Sequence, residues 1–181
     1  MPEIKILFDS PFLQLRSIED KEKGIRPYFY KHVKLYDGQV VAVLPYRYPN
    51  YPLSFNKEFL LINEMRPCWD INNLTPASLT GGIEKGSTPG ETAKKELKEE
   101  AGYIAENISY LGTTYTAKAS DTICHLFAVD VTDLTPEEIK GDGTGLESMS
   151  KPIWVGFKEV LACQDPLIAQ IILRLQYNQN F

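Results

Sequence analysis

The chain of 181 residues is poor in the side chains that staple small or zinc-bound scaffolds. Its three cysteines, Cys68, Cys124 and Cys163, are scattered and never in CxxC spacing. That excludes a disulfide framework and a cysteine-based zinc site, and it points to a reducing, cytoplasmic setting. Only two histidines occur, His32 and His125, both inside strand-like patterns, and neither is assigned a role. No stretch approaches the ~20 apolar residues of a membrane span. The N-terminus, MPEIKILFDS, carries charge early and reads as no signal peptide. A basic excess is also missing. The net charge of −5 argues against a general nucleic-acid binder. An anionic substrate stays compatible with this charge where a bound cation inverts the local field. Internal repeats, low-complexity segments and an interdomain linker are absent.

What is present suits one domain with a sizeable core, since 43% of the residues are hydrophobic. Residues 4–8 and 12–15 read as short strands, and 17–26 as a charged surface turn. Residues 28–35 alternate as a strand before the turn Tyr36-Asp37-Gly38. The runs 40–46 and 59–65 read as buried strands, and 108–116, 122–131 and 153–157 as further strands. Thr135-Pro136-Glu137-Glu138 predicts a short capped helical turn. Asp165-Pro166 opens a final helix with Ile168, Ile171, Ile172 and Leu175 on one face. This order predicts an α+β fold, a three-layer α/β/α sandwich built on a mixed sheet. Residues 1–27 form an N-terminal β extension, and residues 28–181 the main domain.

The most informative stretch is 81–103, GGIEKGSTPGETAKKELKEEAGY. Thr88 as N-cap, Pro89 at the first helical position and Glu91 three residues after the cap predict a helix start with a capping box. Gly102 predicts the stop, as a left-handed residue followed by apolar Tyr103. Ala93, Leu97 and Ala101 make a narrow apolar stripe. Glu96, Glu99 and Glu100 stand at i, i+3 and i+4 and share another face. Most glutamate-rich helix faces are only solvated. Here Gly81 and Gly82 precede the helix and allow backbone to approach a ligand closely. Oxygen donors in this pattern suit a hard cation.

These residues resemble the Nudix box, G-x5-E-x7-R-E-U-x-E-E-x-G-U with U apolar. Starting at Gly81, the residues Glu96, Leu97, Glu99, Glu100, Gly102 and Tyr103 fall in register. Ser87 and Lys95 stand where the pattern has glutamate and arginine, so the ion pair those two usually form is absent as a unit. The resemblance implies a Nudix-like sandwich fold and metal ligation of Mg²⁺ or Mn²⁺ by Glu96, Glu99 and Glu100, with the Gly81 carbonyl as a further ligand. It also implies the ADP-ribose pyrophosphatase branch, whose extra N-terminal strands often form a homodimer. Arg66, in Glu64-Met65-Arg66-Pro67, resembles the arginine of the family's Q-x-R segment and is the candidate phosphate clamp. Glu64 replaces the more usual glutamine.

By the same resemblance, Glu147 in the glycine-rich loop 141–147 is the candidate base, with Asp142 second and Asp121 third. A nucleobase needs an aromatic platform. Tyr28, Tyr30, Tyr46, Tyr48, Tyr51 and Trp69 are available, of which Tyr46 and Trp69 are the substrate-binding candidates. Two functions follow. One is metal-dependent hydrolysis of the diphosphate of ADP-ribose or a related nucleoside diphosphate sugar, without nucleic-acid or membrane partners. The other is a weakly active or inactive Nudix-like module that binds a nucleotide sugar, which Ser87 and Lys95 favour and the three glutamates oppose.

Overall fold

The structure is a computed structural model that describes residues 2–50, 53, 56–139 and 150–179, with backbone alone at 179. Ten strands and three α-helices follow in chain order among these residues. The first three strands, β1 (Glu3–Asp9), β2 (Leu13–Asp20) and β3 (Ile25–Val33), form an antiparallel sheet of their own. Residues 17–20, expected as part of a turn, instead continue β2. Ser17 and Asp20 are buried there, and only residues 21–24 turn. The separate sheet ends at Val33, so residue 27 lies inside β3.

The second sheet holds β4 (Gln39–Arg47), β5 (Glu58–Met65), β6 (Leu74–Ala77), β7 (Leu79–Gly82), β8 (Ser109–Tyr115), β9 (Ile123–Asp130) and β10 (Lys151–Gly156). Its path is β10-β5-β4-β9-β8, with β4 and β9 parallel and the other neighbours antiparallel. Side chains alternate faces along a strand, and the central strands are apolar on both faces. Val41, Val43, Leu60 and Ile62 meet Ala93, Leu97 and Ala101 of helix α1 (Pro89–Ala101). On the other face Ala42, Leu44, Phe59 and Leu61 meet Val160 of α2 (Phe157–Ala162) and Ile168, Ile171, Ile172 and Leu175 of α3 (Pro166–Gln179). The result is the expected α/β/α sandwich on a mixed sheet.

One further expectation about local structure fails. Residues 134–139 form no helical turn. Glu137 instead donates its N–H to Gly102 O at 2.8 Å, folding this segment over the end of α1. Helix α2, six residues long, has no separate signal in the sequence.

The sheet splits where the site lies. β4 pairs with β5 only at Tyr46 and Arg47, and with β7 from Val40 to Val43. β6 pairs with β5 from Ile62 to Met65. β4 and β5 therefore diverge, and the bend between β6 and β7 fills the opening. Asp165 holds that bend. Its Oδ2 accepts from Ser78 N at 2.9 Å and Ser78 Oγ at 2.6 Å, while Oδ1 accepts from Leu167 N at 2.9 Å in the first turn of α3. Both residues are buried. Asp165→Ala is expected to lower stability by about 3 kcal/mol, because Ser78 loses both partners out of reach of water and α3 loses a cap. In a chain of this size that lowers Tm by roughly 6–12 °C. An unchanged melting temperature would show that the bend is held by packing alone.

The small sheet is sewn to the large one along β3. Lys31 N donates to Ala119 O at 2.9 Å, Asp121 N to Lys31 O at 3.2 Å, and Tyr28 Oη to Lys118 O at 2.9 Å. His32 Nδ1 lies 2.7 Å from Asp121 Oδ2.

Candidate active site

Helix α1 begins and ends as its sequence requires. Thr88 Oγ1 accepts from Glu91 N at 3.2 Å, and Glu91 Oε2 accepts from Thr88 N at 2.8 Å, which closes the capping box. These bonds hold the Glu91 carboxyl below the usual carboxylate range. At the far end Gly102 has φ 74°, with its N–H on Lys98 O and Tyr103 N on Leu97 O. Tyr103 is buried, and burial pushes its phenol up. Thr92 is buried beside Ala93, which widens the stripe read from the sequence.

Opposite α1, β7 ends at Gly81 and Gly82. A Cβ built on Gly81 would overlap the Glu96 carboxylate, both Oε1 and Cδ, and would lie 2.6 Å from its Cγ. The missing side chain is therefore what lets the glutamate lie on the strand. Gly81 does not have positive φ, so this glycine is required by space and not by backbone freedom.

Glu96, Glu99 and Glu100 are all half-buried along the flank of α1. Glu99 Oε2 leans toward Lys95 Nζ at 3.9 Å. Among the described residues no three acidic, histidine or cysteine side chains already converge as a metal-holding group. The donor set nevertheless fits a hard cation in kind. Glu99 and Glu100 each stand one turn from Glu96, with Cβ atoms about 5–6 Å from its own, so all three offer carboxylate oxygens along one flank of the helix. The Gly81 cradle places one of them directly on the glycine corner.

Lys95 has a partner outside the family pattern. An ion pair between loop and helix does exist, from a different loop position. Lys95 Nζ donates to Glu84 Oε1 at 3.1 Å, three residues before Ser87. That bond, with the nearby Glu99 charge, raises the Lys95 pKa. Both side chains are more than half exposed, so the pair contributes about 1 kcal/mol at most. Its role is to tie the loop to the helix. Ser87→Glu with Lys95→Arg is accordingly expected to change stability by no more than about 1 kcal/mol, with 0.5 M salt reducing the difference. A larger change in thermal melts would mean that Ser87 has a contact beyond Ser87 N to Glu84 O, a bond of 3.0 Å.

Arg66 follows β5 and is held by Glu64, with Nε 2.8 Å from Glu64 Oε1. Its NH2 reaches Thr80 Oγ1, the residue before Gly81, at 3.4 Å. Its guanidinium lies 4.9 Å from the centre of the Trp69 ring. Arg66, Trp69 and the glycine corner are thus neighbours. Tyr46 is not. Its ring sits in the core on the α3 face, near Tyr48 and Phe59, because β4 turns that position away from α1. Asp121 is taken up by His32 at the joint between the sheets. Glu147, Asp142 and Tyr51 lie outside the described residues.

Sequence reasoning missed Glu84 and Thr80. Glu84 carried a signal only as an acidic residue in the loop, and Thr80 carried none.

The NUDIX domain family matches residues 51–175. The chain therefore belongs to the Nudix family, whose hydrolases generally use divalent metal ions. A segment of 59 residues is 36% identical to the ADP-ribose pyrophosphatase of Bacillus subtilis (strain 168), covering 32% of this chain and 32% of that protein. The crystal structure of an ADP compounds hydrolase matches with a TM-score of 0.71 at 17% identity, over 98% of this chain and 92% of that one. The structural likeness shows the fold, N-terminal sheet included.

Proposed function

We propose that this protein hydrolyses the diphosphate of ADP-ribose or a related nucleoside diphosphate sugar, giving a nucleoside monophosphate and a sugar phosphate. The observation that carries this is the Glu96 carboxylate seated on side-chain-free Gly81, with Glu99 and Glu100 on the same flank and Arg66 one residue away through Thr80.

Each group has a defined task. Glu96, Glu99, Glu100 and the Gly81 carbonyl would hold Mg²⁺ or Mn²⁺, which supplies positive charge against the diphosphate and lowers the pKa of an attacking water. Arg66 offers a planar donor fork for phosphate oxygens, and Glu64 keeps that fork oriented until substrate replaces it. Trp69 offers an apolar face beside the guanidinium for the base or ribose. Glu147, with Asp142 second, remains the proposed proton acceptor on the strength of the family resemblance. The relatives' names, ADP-ribose pyrophosphatase and ADP compounds hydrolase, support the substrate class. Release of nucleoside monophosphate from such substrates, with and without EDTA, tests the reading.

A nucleotide-sugar-binding module with little turnover is the second reading, favoured by Ser87 in place of the box glutamate. The Lys95–Glu84 pair weakens it, because the loop is tied to the helix by another route. A cytoplasmic setting agrees with three free cysteines. One of them, Cys124, is buried, and burial pushes its thiol up to about 12, so it is inert. No described helix is long and apolar enough to cross a membrane.

We also propose a homodimer through the N-terminal sheet, where Ile4, Ile6, Phe8, Phe12 and Phe29 are each more than half exposed. Light scattering is expected to give twice the chain mass for the wild type and one chain mass for Ile6→Lys with Phe8→Lys. A wild-type monomer at all concentrations would contradict this.

A further inference from the structure

We propose that Tyr36 is a positioning residue for the candidate site: its ring braces the Gly81–Gly82 segment from behind and keeps Gly81 pressed against Glu96. The inference rests on the functional reading only in taking Gly81 and Glu96 as parts of the site.

Successive residues of a strand face opposite sides. The side-chain direction of Gly81 leads into the Glu96 carboxylate, and that of Gly82 leads into the Tyr36 ring, where a Cβ would overlap Cδ2, Cε2 and Cγ. The end of β7 therefore runs between two side chains, a carboxylate in front and an aromatic ring behind. Each glycine leaves room for one of them. Pairing with β4 holds this backbone through Gly82, opposite Val40, and the clamp adds contact on the two faces that the pairing leaves open.

The ring reaches its place by a costly backbone path. Tyr36 (φ 54°, ψ 25°), Asp37 (φ 50°, ψ 35°) and Gly38 (φ 67°) form three successive left-handed residues between β3 and β4. Of these the glycine adopts that region freely and aspartate tolerates it, so the strain falls chiefly on the tyrosine. The turn packs against the end of β3 and the residue before β9, since a Cβ on Gly38 would stand at ordinary contact distance, 3.5 Å from Val33 O and 3.8 Å from Thr122 Cα. Just past the turn, Gln39 O accepts from Ile83 N at 3.0 Å, which ties the same glycine segment to β4. Burial does not account for the arrangement, because Tyr36 stays 47% exposed. Strained left-handed residues of this kind persist where the surroundings fix them and gather at functional sites. What the strain secures here is the contact with Gly82.

The test uses Tyr36→Phe, Tyr36→Gly and Gly82→Ala, alone and in combination. Tyr36→Gly removes the ring and relieves the backbone together, and Tm separates an effect on folding from an effect on the site. Three quantities are read: Mn²⁺ affinity with the metal alone, kcat and KM on ADP-ribose, and Tm. Tyr36→Phe is expected to match the wild type. Tyr36→Gly is expected to weaken Mn²⁺ binding several-fold and lower kcat roughly tenfold with KM little changed, since a displaced ligand shell misplaces the reacting groups. Gly82→Ala is expected to lower Tm and Mn²⁺ affinity when Tyr36 is present and to add nothing in the Tyr36→Gly background, where its methyl group has room. Wild-type kcat and Mn²⁺ affinity in Tyr36→Gly would overturn the proposal, as would Gly82→Ala being equally harmful with and without the ring. If the wild type cleaves no member of a nucleoside diphosphate sugar panel that includes ADP-ribose, the functional reading falls, while Mn²⁺ affinity and the Gly82→Ala melts in both backgrounds still decide for or against the brace.

Discussion

Glu99→Gln and Glu100→Gln are each expected to cut turnover about a hundredfold or more while leaving the fold intact. Glutamine keeps the shape of the side chain and removes the charge that a divalent ion needs. The structure separates this loss from any effect on stability. Three carboxylates at i, i+3 and i+4 repel one another, so neutralising one relieves a few tenths of a kcal/mol. At position 99 the relief is partly offset, because the Lys95 ammonium 3.9 Å away loses a partner. Melting temperatures should therefore move little while kcat collapses. Near-normal turnover in both variants, measured at saturating metal, would remove the glutamates from the chemistry.

Gly81→Ala is expected to lower kcat by roughly 30- to 100-fold, on the scale set by misplacing a reacting group by about 1 Å. The added Cβ overlaps the Glu96 carboxylate, so either that side chain rotates off the glycine corner or β7 shifts away from α1. Gly90→Ala is the control within the same motif. A Cβ there meets nothing within 4 Å, and alanine in the first turn of a helix should raise stability by up to about 1 kcal/mol with turnover unchanged. Parallel kinetics on the two variants distinguish a steric requirement at one glycine from a general intolerance of the loop. Equal activity in both would mean that the Glu96 contact with the strand has no part in function.

Much of this was readable in the chain because the relevant physics is local. Thr88, Glu91 and Gly102 fix both ends of α1 within the helix itself. Val41 to Leu44 and Phe59 to Ile62 announce strands buried on both faces without reference to anything else. Features that depend on distant partners could not be read. Ser17 and Asp20 look like turn residues, yet both are buried in β2, the central strand of its sheet, whose pairing with β1 and β3 carries the strand through them. Residues 135–138 carry a helix-start signal, yet the segment forms no helix, and Glu137 bonds instead to Gly102 at the end of α1. Tyr46 and Trp69 are indistinguishable as aromatics in a sequence, and only strand alternation and pairing send Tyr46 into the core. With serine at position 87 the family pattern offers Lys95 no partner, and the sequence points to no other. The curvature of the loop brings Glu84 to it instead.

The most direct test of the account is product release by the full chain from a panel of nucleoside diphosphate sugars that includes ADP-ribose, with Mg²⁺ or Mn²⁺ and again with EDTA. The account predicts nucleoside monophosphate from ADP-ribose or a close relative, abolished by EDTA and restored by added metal. A folded, metal-supplied protein that releases nothing from any member of the panel would contradict it, and would turn attention to the binding-module reading and to Ser87.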